Sequence, residues 1–86
     1  MTEQVAGLVN GAIKELGVFV DSAFVSTEEG MQIFNIVLDS KEVIDLNKIT
    51  DASRIINSIM DKHEEILGDI DELDIYSKEK GEMENE

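Results

Sequence analysis

The chain has 86 residues with no Cys and no Pro, and its 20 acidic residues outnumber its 7 basic ones, which gives a formal net charge of −13. A domain this small buries only about 60 to 65% of the surface of its unfolded chain, and without Cys it has neither a disulfide framework nor a thiolate metal site. So strong a negative charge repels nucleic-acid backbones and anionic lipid and favours basic proteins as partners. An alternative reason for the acidity is that it keeps a small protein in solution.

The N-terminal segment MTEQVAGLVNGAIKEL lacks the basic start and the apolar run of a signal peptide. No stretch approaches the roughly 20 apolar residues that span a bilayer. Together with the absence of Cys, these features predict a cytoplasmic protein.

The first predicted element is an amphipathic helix over residues 3–16. Its apolar side chains recur at the spacing of one helix face and comprise Val5, Leu8, Val9, Ala12, Ile13 and Leu16. Thr2 is a candidate N-cap, and Gly17 is the residue type expected just past the end, where the chain enters a left-handed conformation.

Two β-rich runs follow, 18–27 and 31–38, and the Gly30 between them can adopt the positive φ of a hairpin turn. A second helix of about 20 residues is predicted next, capped by Asp45 or a neighbour and ended by Gly68. A short strand over residues 73–77 precedes a polar segment, 78–86, that is predicted to be a flexible acidic tail.

The order of these elements predicts an α+β fold. The economical arrangement of α-β-β-α-β is two layers, with both helices on one face of a three-stranded sheet. We therefore expect one domain over residues 1–77, followed by the acidic tail.

The sheet face away from the helices is the predicted binding site. Alternation puts Phe34, Ile36 and Leu38 on one side of the second strand. If the helices cover that side, the other face exposes an apolar patch, which commonly marks an interface. The predicted partner-binding residues are Phe19, Val25, Ile33, Val37 and Tyr76. The alternatives are that a helix or the tail folds across this face, or that the face assignment slips by one residue in a strand.

No catalytic, cofactor or metal site is predicted. His63 is the single His of the chain and lies on the apolar stripe of the second helix, which is typical of a histidine at the edge of a core. The acidic run 69–74 lacks the glycine and the bidentate Glu of a calcium loop. No Gly-rich loop precedes a helix to bind phosphate. We therefore expect a protein that is not an enzyme.

Several short matches in chain order resemble the N-terminal domain of the bacterial ribosome maturation factor RimP family. Residues 15–17 and 19–24 are similar to the family's LGLELVDVEF, and residues 36–39 end the second strand with an apolar run closed by Asp. The second helix has Ser53-Arg54 where the family has SR, and residues 73–77 are similar to LEVSS. The match runs from about Val5 to Ser77 and departs afterwards, where Lys78 and its successors replace the family's Pro-Gly turn.

The resemblance implies a non-catalytic role in assembling the small ribosomal subunit, through contacts with ribosomal protein and rRNA. The acidity of this chain favours the basic ribosomal protein and argues against direct nucleic-acid binding by this domain. Two alternatives stay open. One is a freestanding interaction or homodimerisation module that uses the open sheet face, and the other is an acidic mimic of nucleic acid.

Overall fold

A computed structural model describes residues 2–42 and 46–78. The elements in chain order are α1 (Thr2–Ile13), a 3-10 turn (Lys14–Leu16), β1 (Val18–Glu28), β2 (Met31–Ser40), α2 (Leu46–Asp61), α3 (Glu64–Leu67) and β3 (Glu72–Ser77). The predicted α+β fold is confirmed. The predicted cap at Asp45 and the tail residues 79–86 lie outside the described residues.

The sheet is mixed, with the strand order β1-β2-β3. The hairpin strands β1 and β2 are antiparallel, whereas β3 runs parallel to β2. Parallel strands need a crossover connection, and the segment that contains α2 and α3 supplies it. The central strand β2 is therefore paired along both edges.

Both long helices cover the same face of the sheet. The side chains that α1 buries are Val5, Val9 and Ile13, and those that α2 buries are Ala52, Ile56 and Met60. They form one apolar cluster with Phe34, Ile36 and Leu38 of β2, all of which are fully buried. Because these three residues alternate along the strand, they define the helix-covered face.

Strand β1 contains a β-bulge that the sequence pattern did not reveal. Val20 pairs with Leu38 and Ser22 pairs with Val37, so Asp21 is an extra residue in β1. An extra residue exchanges the two faces for the rest of the strand. Val18, Val20, Ala23 and Val25 therefore share the helix-covered face, while Phe19 and Phe24 point to the other side.

Two local predictions about the helices are wrong. The second helix is not continuous, because α2 ends at Asp61 and α3 begins at Glu64 after His63 adopts φ −124° and ψ 57°. Thr2 does not cap α1 with its hydroxyl. That hydroxyl contacts the backbone of β1 instead, accepting from the Ala23 amide at 3.0 Å and donating to the Ala23 carbonyl at 3.1 Å.

Gly17 has the predicted positive φ, at 80°, and its amide donates to the Lys14 carbonyl at 2.9 Å. Within the described residues, no helix is long and apolar enough to cross a bilayer.

Candidate functional site: the open sheet face

The face of the sheet opposite the helices, here called the open face, is defined by strand register. Phe19 pairs with Asp39, Phe24 with Asn35, and Val37 with both Ser22 and Tyr76. Paired residues point their side chains to the same side of a sheet. The open face therefore contains Phe19, Ser22, Phe24, Ser26 and Glu28 of β1, Met31, Ile33, Asn35, Val37 and Asp39 of β2, and Glu72, Asp74 and Tyr76 of β3.

The register places four of the five predicted binding residues on the open face: Phe19, Ile33, Val37 and Tyr76. Val25 is the exception, because it pairs with Phe34 and so lies on the helix-covered face, where it is 38% exposed. Its neighbour Phe24 takes the place that alternation had given to Val25. The cause is the extra residue at Asp21, which strict alternation does not include.

Exposure divides the open face into an accessible part and a shielded part. Phe19, Phe24 and Tyr76 are 40%, 42% and 37% exposed, respectively. Ile33 and Val37 are only 8% and 7% exposed, although no helix lies over this face among the described residues. Ile33 and Val37 belong to the central strand, which is paired along both edges, whereas Phe19, Phe24 and Tyr76 belong to the outer strands. A partner would therefore contact the exposed aromatic rings before it reached Ile33 or Val37.

A buried amide holds the three strands together beneath these rings. The Asn35 side chain is 7% exposed, and its Nδ2 donates to Ser26 Oγ at 2.9 Å. The hydroxyl of Tyr76 donates to Asn35 Oδ1 at 3.2 Å, so the Tyr76 side chain reaches across β2. Burial of the phenol, and secondarily the charge of Asp74, raises the pKa of Tyr76 above its ordinary value of 10.0. The phenol is thus held neutral as a donor.

The apolar part of the open face is surrounded by carboxylates. Asp39, Glu72 and Asp74 lie on this face by register. Alternation puts Lys78 on the same side as Tyr76, and Lys78 Nζ lies 3.5 Å from Asp21 Oδ1. The bulged Asp21 therefore adds a further carboxylate, and it is the one that Lys78 contacts. Exposed aromatic rings beside the carboxylates of Glu72 and Asp74 form a surface that suits a basic partner.

Basic residues lie beside Phe19, at the boundary between the open face and α1. A shallow groove of about 500 Å³ beside Phe19 has Lys14 and Lys41 in its lining. No carboxylate is among the described residues that line it. The basic groups of a partner should therefore lie toward Glu72 and Asp74, away from this groove.

The other polar residues that the sequence suggested lie elsewhere. His63 separates α2 from α3 and its Nδ1 is 3.1 Å from Glu65 Oε2. The pKa of the Glu65 carboxyl is lowered, first by a hydrogen bond from its own backbone amide and then by His63. In the acidic run, Asp71 Oδ2 accepts from the Gln32 amide at 2.8 Å. Within residues 2–42 and 46–78, no three His, Cys, Asp or Glu side chains come together as metal ligands.

Sequence reasoning missed Phe24 as a member of the open face, and it left Asn35, which alternation puts on that face, out of the predicted binding residues. Asn35 had a detectable signal, since a lone amide in the apolar run 31–38 must find hydrogen-bond partners when it is buried. Phe24 had none, because the bulge that turns it outward has no sequence signature in this strand. No family model matches this chain, and neither does any curated protein.

Proposed function

We propose that this chain is a non-catalytic protein-binding module that docks a basic protein on its open face. The observation that carries the proposal is the exposure of Phe19, Phe24 and Tyr76 on a carboxylate-edged face over which no helix of the described residues lies. Buried aromatic anchors contribute most of the binding energy in many interfaces, while surrounding charges steer and orient the partner.

The partner class that we propose is a basic protein of the small ribosomal subunit. The resemblance to the RimP N-terminal domain and the α-β-β-α-β order support this choice, and so does the net charge of −13. Fold likeness by itself leaves function open, so the argument depends on the charged and aromatic open face.

The first test is co-sedimentation of the purified chain with small ribosomal subunits. We expect the chain to sediment with subunits at low salt and to be released as salt is raised, because the attraction is between surface charges. A chain that stays in the supernatant at low salt would contradict the ribosomal partner.

The second test separates the open face from the rest of the surface. We expect the double variant Phe19→Ser/Phe24→Ser to lose at least about tenfold in affinity, because it removes two aromatic anchors. Val25→Ser is the matched control: it belongs to the same strand and is 38% exposed, but lies on the helix-covered face. Equal losses in both variants, or none in either, would contradict docking on the open face. Ile33 is unsuitable for this test because it is buried.

A further inference from the structure

The two outer edges of the sheet differ in whether other parts of the chain hydrogen-bond to their outward backbone groups. Along β1, side chains of α1 bind the outward backbone groups: Asn10 Oδ1 accepts from the Val20 amide at 2.9 Å, and Thr2 Oγ1 binds both the amide and the carbonyl of Ala23. Helix α1 thus closes the middle of this edge against another strand.

Strand β3 forms the opposite edge, which no side chain of the described residues covers in this way. The Lys78 amide donates to the Leu38 carbonyl at 2.6 Å, so this amide faces β2. Alternate residues of a strand direct their backbone N–H and C=O groups to opposite sides. The backbone groups of Leu73, Ile75 and Ser77 therefore point away from β2. Among residues 2–42 and 46–78, no side chain or backbone group hydrogen-bonds to this outer edge. Unpaired strand edges are templates for pairing with another strand.

We propose that the β3 edge pairs antiparallel with β3 of a second copy of this chain, with Ile75 opposite Ile75 of that copy. This register directs the outward groups of Leu73, Ile75 and Ser77 at each other. On the open-face side it places Glu72 opposite Lys78 of the second copy, and Asp74 opposite Tyr76 of the second copy. The strand is therefore complementary in charge to its own reverse. A two-fold axis forms both Glu72–Lys78 pairs at once when each Lys78 side chain, 51% exposed, turns from Asp21, which it contacts at 3.5 Å in the single chain.

Neighbouring registers are poorer. Centring the pair on Asp74 sets two like charges directly opposite, which is destabilising. Centring it on Tyr76 keeps one type of charge pair but takes Leu73 out of the paired region. A shift by a single residue turns the backbone groups out of alignment. Among these registers, only the one centred on Ile75 pairs Leu73 through Ser77 without opposing like charges.

The net charge of −13 opposes any self-association. Whether two copies pair therefore depends on how far apart the repelling and the attracting charges lie. At an ionic strength of about 0.15 M the Debye length is about 8 Å, which screens most charges of the two molecules from each other. Directly opposed cross-strand residues are only about 5 Å apart and are screened much less. The half-buried Ile75 also gains an apolar contact with its copy on the helix-covered side. The product is a continuous six-stranded sheet whose two open faces lie side by side.

The experiment is sedimentation equilibrium at about 0.15 M salt, with wild type, Glu72→Lys, Lys78→Glu and the double swap Glu72→Lys/Lys78→Glu. We expect a concentration-dependent wild-type dimer of modest affinity, because a single strand edge is a small interface. Each single variant opposes two pairs of like charges and should weaken the dimer roughly tenfold. The double swap, and an equimolar mixture of the two single variants, should restore the wild-type constant.

Net charge provides the internal control. Glu72→Lys makes the chain less negative, so a non-specific repulsion would give this variant a tighter dimer than wild type, whereas the proposed register requires a weaker one. A wild type that stays monomeric up to millimolar concentration would overturn the proposal, as would constants that follow net charge alone. Dimerisation lost in Phe19→Ser/Phe24→Ser but unchanged in the charge variants would also overturn it, because the copies would then dock through the open face. Circular dichroism of each variant verifies the fold.

Discussion

Asn35 is the residue on which the geometry of the open face depends. It lies in the middle of β2, and its amide joins Ser26 on β1 to Tyr76 on β3 through hydrogen bonds of 2.9 and 3.2 Å. A buried amide without partners is costly, so these bonds penalise any register that separates the three side chains. The aromatic rings above are therefore held at fixed positions relative to one another.

Replacing Tyr76 by Phe tests this network through pH. The pKa of Tyr76 is raised in the folded state, so the wild type loses stability as pH increases above 10.0, the ordinary tyrosine value, and through the folded pKa. Below 10.0 the contribution is fully present. We expect Tyr76→Phe to lower the free energy of unfolding by about 1 kcal/mol at neutral pH, because Asn35 Oδ1 loses a donor. Above pH 10 the difference between the two proteins should shrink.

Urea unfolding of both proteins from neutral to alkaline pH measures this difference. Ser26→Ala is the control, since it removes another side-chain partner of Asn35 without removing a titratable group. A difference in the free energy of unfolding between Tyr76→Phe and wild type that stays constant across the alkaline range would contradict the raised pKa of Tyr76.

At the scale of elements, the β1–β2 hairpin has one residue in a strained turn conformation. Glu29 and Gly30 both have positive φ, at 51° and 83°, as in the two-residue turns that favour Asn-Gly. Gly adopts a positive φ without a steric penalty, whereas Glu adopts it at a steric cost from its Cβ.

Replacing Glu29 by Asn should therefore stabilise the hairpin. We expect an increase of up to about 1 kcal/mol in the free energy of unfolding, which for a domain of this size raises the melting temperature by about 4 to 8 °C. Glu28→Asn is the control, because it removes the same charge from a residue of β1. Equal effects in thermal unfolding would show that charge, and not backbone conformation, is responsible.

The elements themselves could be predicted from sequence where the periodicity is uninterrupted. Helix α1, the hairpin, and the β3 segment follow directly from apolar spacing and from Gly17 and Gly30. The interruptions could not be predicted. The bulge at Asp21 moves Phe24 to the open face and Val25 away from it, and the break at His63 divides a helical pattern that continues through both segments. Both depend on tertiary packing, which a local pattern does not contain.

For the whole molecule, the two-layer arrangement was predictable because two amphipathic helices must cover one face of a small sheet. Which part of the open face is accessible to a partner could not be predicted from the sequence. Ile33 and Val37 are apolar and point away from the helices, yet they are buried. Their burial depends on which strands are neighbours, and the order β1-β2-β3 had to come from the structure.

The net charge of −13 leads to a prediction about salt. Raising the ionic strength from about 0.01 M to about 0.15 M shortens the Debye length from about 30 Å to about 8 Å and weakens repulsion within the folded chain. We expect the melting temperature to rise over this range, measured at low protein concentration. NaCl and KCl should give the same rise, because screening depends on ionic strength. A fall would mean that local pairs such as Lys78–Asp21 outweigh the general repulsion.

The parallel pairing of β3 with β2 also affects how the chain avoids fibril formation. Residues 33–38 of β2, IFNIVL, carry no charge and no Pro and are all buried. Such segments are the usual spines of cross-β aggregates when an edge becomes free. The hairpin covers one edge of this segment through a two-residue turn, but β3 must close a much longer loop to cover the other, which costs more chain entropy. Detachment of β3 is therefore the local opening that would start aggregation, even in molecules that remain otherwise folded.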